Sequence, residues 1–306
     1  MAIEKWNTVA ELIRLAEEKR VPISVVVLAR EAAESEKSEE EVLASMQKNW
    51  QVMQASVARG IGNTEKSMLG ITGGDAKKLR AFAGKGYLDA DTLYAAACAV
   101  GVSEVNAVMG RIVACPTAGS CGIVPAAACL AKRKRSASDD AIVRGLFTAA
   151  GIGMVIDQNA SIAGASGGCQ AECGTAAAMA AAMLVEIADG SPRQAGHAAA
   201  LAIKNLLGLV CDPVAGLVEV PCVKRNGFCT MTAALAADMA LSGVESVIPV
   251  DEVIGAMDRI GRAIPKSLRE TSEGGLAVTE TAKHLAKRLQ GLGQGRKQRT
   301  MNERWR

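Results

Sequence analysis

Apolar and polar residues recur at helical spacing from the start of the chain. In NTVAELIRLAEEKR, residues 7–20, the apolar positions share one helical face, and Asn7 or Thr8 with Glu11 has the arrangement of a capping box. SEEEVLASMQKNWQVMQASVARG, residues 38–60, predicts a second amphipathic helix, capped near Ser38 and stopped by Gly60. The charged run SEKSEEE reads as a solvated turn. The Gly73-Gly74-Asp75 corner of SMLGITGGDAKKLRAFAGKG predicts a break and a helix from Ala76, which Asp75 would cap. DADTLYAAACAVGVSEVNAVM predicts a further helix capped by Asp91. From Arg111 the pattern changes. Three loops rich in Gly, Pro, Cys and Ser alternate with Ala-rich helices: ACPTAGSCGIVPA, DQNASIAGASGGCQAECG and LVCDPVAGLVEVPCVKRNGFC. Such loops on a helical scaffold imply one shared site, because scaffolded loops are where chemistry is usually carried.

After Val250 the predicted helices become more charged, and ETSEGGLAVTETAKHLAKRL closes the folded part. The tail GLGQGRKQRTMNERWR holds five basic residues and little periodicity, so it reads as mobile or as docking on a partner. No internal repeat and no strand ladder is visible, although 217–220 is compatible with a short extended piece. The expected fold is mostly α: an Ala/Gly-rich multi-helix catalytic domain over 1–288, with 1–60 packed on it as an N-terminal helical segment. Residues 289–306 form the basic tail.

Composition supports that fold. The chain is 49% apolar but only 3% aromatic, so small side chains must build the core and let helix axes approach. A net charge of +3 gives no nucleic-acid footprint. The first twenty residues carry charges and lack the apolar centre of a secretory signal. The uncharged stretch 112–131 is interrupted by Pro116 and Pro125, which argues against a membrane helix. The expectation is a cytoplasmic chain with no membrane and no nucleic-acid partner.

Candidate chemistry narrows by exclusion. The dinucleotide glycine fingerprint, the phosphate loop and the H-E-x-x-H zinc motif are absent. Of two histidines, His284 lies in a basic amphipathic helix and reads as a surface residue, while His197 sits on a predicted helix. Lys77 and Lys78 are the nearest approach to a pyridoxal lysine, without a matching motif around them. Nine cysteines remain: Cys98, Cys115, Cys121, Cys129, Cys169, Cys173, Cys211, Cys222 and Cys229. A disulfide framework does not suit a cytosolic chain of this length. Cys169, Cys211 and Cys222 lie in Gly/Pro-rich contexts, and thiolates are soft ligands for zinc or iron–sulfur clusters. Spacing alone leaves ligation and simple burial both open.

Together, ACPTAGSCGIVPA, GGCQAECG and CDPVAGLVEVPC, with SMLGITGGDAKKL and GGLAVTETAKHLA, resemble the α chain or α domain of the iron–sulfur-dependent L-serine dehydratases over about residues 5–288. The resemblance implies a [4Fe-4S] cluster on three thiolates, those of Cys169, Cys211 and Cys222. One iron then lacks a protein thiolate and can act as a Lewis acid on the serine hydroxyl. A base removes the Cα proton, and elimination of water leads to pyruvate and ammonia. Cys173 reads as a packed thiol; Cys115 and Cys121 either line the pocket or pack. The turns around Thr72, Gly73 and Gly74 and around Thr117, Gly119 and Ser120 are candidates for the substrate carboxylate, since such corners align N–H groups. Candidates for the base are Glu172, Asp212, Lys77 and His197.

Single-chain members of that family carry an extra N-terminal β domain, for which no length precedes Ile3, so a separate β subunit is expected, and a homo-oligomer is compatible. Some relatives end in a cysteine that reaches the cluster. This chain ends NERWR, so self-inhibition of that kind is not expected. Two alternatives stay open at this stage: a related iron–sulfur lyase such as an L-cysteine desulfidase, and a non-catalytic thiolate protein holding structural zinc.

Overall fold

The structure is a computed structural model that describes residues 5–303, with side chains described as far as residue 291. Among the described residues it is built from α-helices with short 3₁₀ and π turns and no strand; the one β-bridge joins Cys211 to Arg269. The stretch 217–220 forms no ladder and closes a turn in which the Val214 amide donates to the Val220 carbonyl at 2.9 Å.

The N-terminal segment folds as α1 (Val9–Lys19), α2 (Ile23–Glu34) and α3 (Glu39–Gly60). The expected capping box of Thr8 with Glu11 forms, and the expected cap at Ser38 is completed as a box by Glu41. Helix α1 is also held from a distance: Asp251 accepts the Val9 and Ala10 amides at 2.8 and 2.9 Å, placing a carboxylate on the positive end of the helix. Trp6 is fully buried under Arg30, whose guanidinium sits 4.3 Å from the ring centroid. The segment shares one hydrophobic core with the rest of the chain.

Then follow α4 (Asp75–Phe82), α5 (Ala90–Ala107), α6 (Ile123–Arg135), α7 (Asp139–Asn159), the short α8 (Gly164–Gly167), α9 (Thr175–Ile187), α10 (Pro192–Leu206), α11 (Cys222–Leu241), α12 (Val250–Ala263) and α13 (Glu280–Glu303). Helix α9 is the centre. Its residues from Thr175 to Met183 are buried on every face, and α6, α7, α10 and α11 pack around it. A helix that is apolar all round has no solvent side to offer, and alanines allow several neighbours to approach at once. Helix α5 plays the same part between α3, α4, α6 and α11.

The crossing of α3 and α5 depends on two glycines. A Cβ on Gly60 would lie 2.3 Å from the carbonyl carbon of Gly101, which no side chain can occupy. Gly60→Ala is therefore expected to destabilise the chain by about 1–3 kcal/mol through overpacking. That outweighs the usual gain of up to about 1 kcal/mol for Ala over Gly in a helix. A thermal melt should show Tm lower by a few degrees; an unchanged or raised Tm would contradict so close a crossing.

Two expected caps are replaced by others. Asp89, not Asp91, caps α5, accepting the Asp91 and Thr92 amides, while Asp91 pairs with Arg133 at 2.6 Å. Asp75 does not cap α4. The buried Glu104 does, taking the Asp75 amide at 2.7 Å and the Ala76 amide at 3.5 Å. Backbone from Glu280 to Glu303 is helical, residues 304–306 lie outside the described residues, and so do most side chains of the expected tail. Among the described residues no helix is long and apolar enough to cross a membrane.

Candidate active site

Three loops meet at the N-terminal ends of α9 and α11. The first, 114–122, folds as a tight turn with a 3₁₀ segment at Ala118–Ser120. Asn226 of α11 fastens it. Its amide nitrogen donates to the Gly119 carbonyl at 2.8 Å and to the Cys222 carbonyl at 2.9 Å, and its oxygen accepts the Gly122 amide at 2.9 Å.

The second loop enters α9 through Cys169 and a π-helical turn, Gln170–Gly174. Turns of that kind recur at functional sites. Gln170 anchors this one, donating to the Met257 carbonyl at 2.8 Å and accepting the Gly208 amide at 2.9 Å. The turn carries Glu172 inward, against the first loop. A Cβ on Gly119 would lie 3.1 Å from the Glu172 carboxylate. A Cβ on Gly164 would lie 3.1 Å from the same carboxylate and 3.0 Å from the Cys211 sulfur. One methyl group at Gly164 would thus touch both groups, so the carboxylate and the thiol are near neighbours that only a glycine can separate.

The third loop runs from 207 to 221 and delivers Cys211 and Cys222. A further segment, 264–278, straps it down: the Cys211 amide donates to the Leu268 carbonyl at 2.9 Å, and the Glu270 amide donates to the Cys211 carbonyl at 2.7 Å. Asp212 accepts the Leu276 amide at 2.8 Å and an Arg225 N–H at 3.1 Å.

Cys169, Cys211 and Cys222 are 1%, 3% and 6% exposed, drawn from two loops and a helix start into one neighbourhood. Cys169, Glu172 and Cys222 each lie near enough to Cys211 to push its thiol up, and Arg225 acts on Cys169 and Cys222. All three thiols are held above the ordinary cysteine range. For Cys169 the first cause is its hydrogen bond to Cys173, with the sulfurs 3.4 Å apart, and burial adds to it. Burial is the first cause for Cys211 and Cys222, the latter pushed up to about 12. Burial also raises the Glu172 carboxyl above its ordinary value, and the nearby Thr117 side chain offsets part of that rise. Among the described residues, no three His, Cys, Asp or Glu side chains gather round a point where a single ion would sit.

The structure sorts the remaining candidates. Thr117 and Gly119 face Glu172. Ser120 is fully buried, and its hydroxyl donates to the Cys115 carbonyl at 2.9 Å, inside its own loop. The corner at Thr72, Gly73 and Gly74 differs from the expected anion cradle, because the α4 amides that would bind a carboxylate are taken by Glu104. Gly73 gives its carbonyl to Lys66, and the Thr72 hydroxyl is buried without a hydrogen-bond partner. That corner reaches α11 through Asp75, which pairs with Lys224 at 2.8 Å. Among the proposed bases, Asp212 is committed to Arg225 and Leu276, Lys77 is exposed on α4, and His197 uses Nδ1 to accept the Ser246 amide at 3.2 Å. His284 is exposed beside Glu280, as expected of a surface residue. Cys115 and Cys121 are buried and pushed up to about 12, by burial first. A cavity of about 500 Å³ lined by Ser161, Ser166, Gln170, Arg262 and Arg269 includes none of the three cysteines.

Asn226, Arg225, Gln170 and Glu104 were not singled out from sequence. For the first two a signal exists: they follow Cys222 by four and three positions on a helix, which puts them on its face.

Buried thiols and one shielded carboxylate, drawn from separate loops, thus meet inside a helical domain. Residues 18–277 match the profile of the serine dehydratase alpha chain family, and the chain belongs to that family. It is 49% identical to the probable L-serine dehydratase, alpha chain, of Bacillus subtilis, over 96% of this chain and 99% of that one. It is 44% identical to the L-serine dehydratase, alpha chain, of Peptoniphilus asaccharolyticus, over 91% of this chain and 96% of that one. The L-serine dehydratase of Streptomyces coelicolor is 40% identical over 89% of this chain, which spans 61% of that protein.

Proposed function

We propose that this chain is the catalytic α chain of a cytoplasmic L-serine ammonia-lyase, converting L-serine to pyruvate and ammonia, with Cys169, Cys211 and Cys222 holding a [4Fe-4S] cluster. The observation that carries the reading is the shared contact at Gly164, which sets the Glu172 carboxylate beside the Cys211 sulfur. The donor set suits the group. Three buried thiols from different loops can each hold one corner of a cluster, and Arg225 offsets the negative charge that their ionisation creates. When bound, the cluster supplies one iron without a protein thiolate, a Lewis acid for the hydroxyl of serine.

The chain's own residues do the rest. The turn at Thr117–Gly119 receives the polar end of the substrate through its amides. Gly119 and Gly164 leave the room that Glu172 occupies, with Thr117 nearby. Glu172, ionised, removes the Cα proton; the Cβ–O bond breaks, and hydroxide leaves as water after taking up a proton. The resulting aminoacrylate tautomerises to an imine and hydrolyses to pyruvate and ammonia. Burial suits a base of this kind, because a carboxylate deprived of solvent is more basic than a free one. Asp212, bound to Arg225 and the Leu276 amide, positions loop and guanidinium and takes no proton. The names of the relatives, alpha chains among them, support a second, β-type chain as partner.

Product analysis of the protein isolated under nitrogen from its own host tests the reading. Pyruvate from L-serine at a higher kcat/KM than sulfide from L-cysteine is expected, with a second polypeptide co-purifying. Sulfide release as the dominant reaction would move the chain to the desulfidase reading.

A further inference from the structure

We propose that Arg225 is the counter-charge of the cluster and sets its reduction potential and its hold on iron, an inference that rests on the cluster reading above. Arg225 lies one helical turn beyond Cys222, and its side chain is only 17% exposed. One terminal nitrogen donates to the Val210 carbonyl at 2.8 Å, and the other donates to Asp212 at 3.1 Å. Both partners flank Cys211. The guanidinium is also near enough to Cys169 and Cys222 for its charge to act on both thiols. One half-buried cation therefore brackets Cys211 through its two bonds and acts on Cys169 and Cys222 through its charge. Guanidinium has five N–H donors, so two bonds to oxygen leave others for sulfur.

A loop brace would need only the two bonds to oxygen. The placement beside the sulfurs does more. Positive charge and N–H donors close to cluster sulfurs favour the reduced, more negative state. Asp212 acts in the opposite sense: fixed by the Leu276 amide, it cancels part of the Arg225 charge. Two adjacent groups of opposite sign should then shift the potential in opposite directions when each is neutralised.

The test uses the full chain reconstituted anaerobically with iron and sulfide. Reductive titrations followed in the visible spectrum compare wild type, Arg225→Gln, Arg225→Lys and Asp212→Asn. Arg225→Gln is expected to lower the potential and to speed iron loss to a chelator by about 10–100-fold, the usual range for groups that support metal ligands. Arg225→Lys keeps the charge and should hold the potential near wild type. Asp212→Asn should raise it. Potentials equal in all four proteins, or shifted the same way in Arg225→Gln and Asp212→Asn, would overturn the inference while leaving the cluster reading intact. If Arg225→Gln fails to fold, the direction of the Asp212→Asn shift decides. A wild-type chain that takes up no iron would remove the cluster reading and this inference together.

Discussion

Cys222→Ala is expected to leave a folded chain that no longer retains iron and no longer makes pyruvate. Cys222 is the first residue of α11, follows Pro221, and is buried, so its sulfur points into the protein. Removing one sulfur atom from a helix start costs little packing, and the Asn226 bond to the Cys222 carbonyl does not depend on the side chain. The chemical cost is large. A metal centre contributes several kcal/mol of charge stabilisation in the transition state, and each ~1.4 kcal/mol is a factor of ten. Turnover should therefore fall by roughly a thousandfold or more. The same holds for Cys169 and Cys211. Cys129→Ala is the control: this thiol lies on α6 against a separate small core that holds none of Cys169, Cys211 and Cys222, and its loss should leave iron content unchanged. Iron analysis and a melting curve on the same preparations separate loss of the centre from loss of fold. Full iron in Cys222→Ala would contradict the assignment.

Glu172→Gln is expected to keep iron and lose activity. The amide is nearly isosteric with the carboxylate and fits between Gly119 and Gly164. It cannot accept a proton from carbon. A positioned acid–base group is worth about 10²–10⁴ in rate, so kcat should drop by that factor with KM little changed. The sign of the pH effect follows from burial, which raises the Glu172 carboxyl above 4.5. The base is active only when ionised, so kcat/KM should rise with pH along a limb that lies above the ordinary carboxylate range. Glu172→Gln should abolish that limb. Near-normal turnover in Glu172→Gln would remove Glu172 from the chemistry.

The helical architecture was legible because local signals and tertiary packing agree. Thr8 with Glu11 and Ser38 with Glu41 form their boxes as their spacing suggests. The alanine runs became buried helices because nothing polar interrupts them. Loop composition located the cysteines, and the resemblance ranked three of them. Long-range hydrogen bonds between a side chain and a distant backbone were not legible. Glu104 caps α4 from α5, and Asp251 caps α1 across nearly the whole chain. Neither leaves a periodic trace in the sequence, so Asp75 looked like the cap and the Gly73-Gly74 corner looked like an open anion site. In DAD both carboxylates suit a cap, and Asp89 is the one whose backbone is still extended just before the helix. The strap at 264–278 was equally hidden. Its contacts with Cys211 and Asp212 are mainly through backbone atoms, which carry no residue signature.

The most direct measurement is iron and sulfide per chain in protein purified under nitrogen, with pyruvate formation from L-serine assayed on the same sample. A brown protein near four irons that makes pyruvate and loses both colour and activity in air is the result expected from three thiolates and one open iron. A colourless protein that takes up no iron on reconstitution would contradict the account and return Cys169, Cys211 and Cys222 to the core.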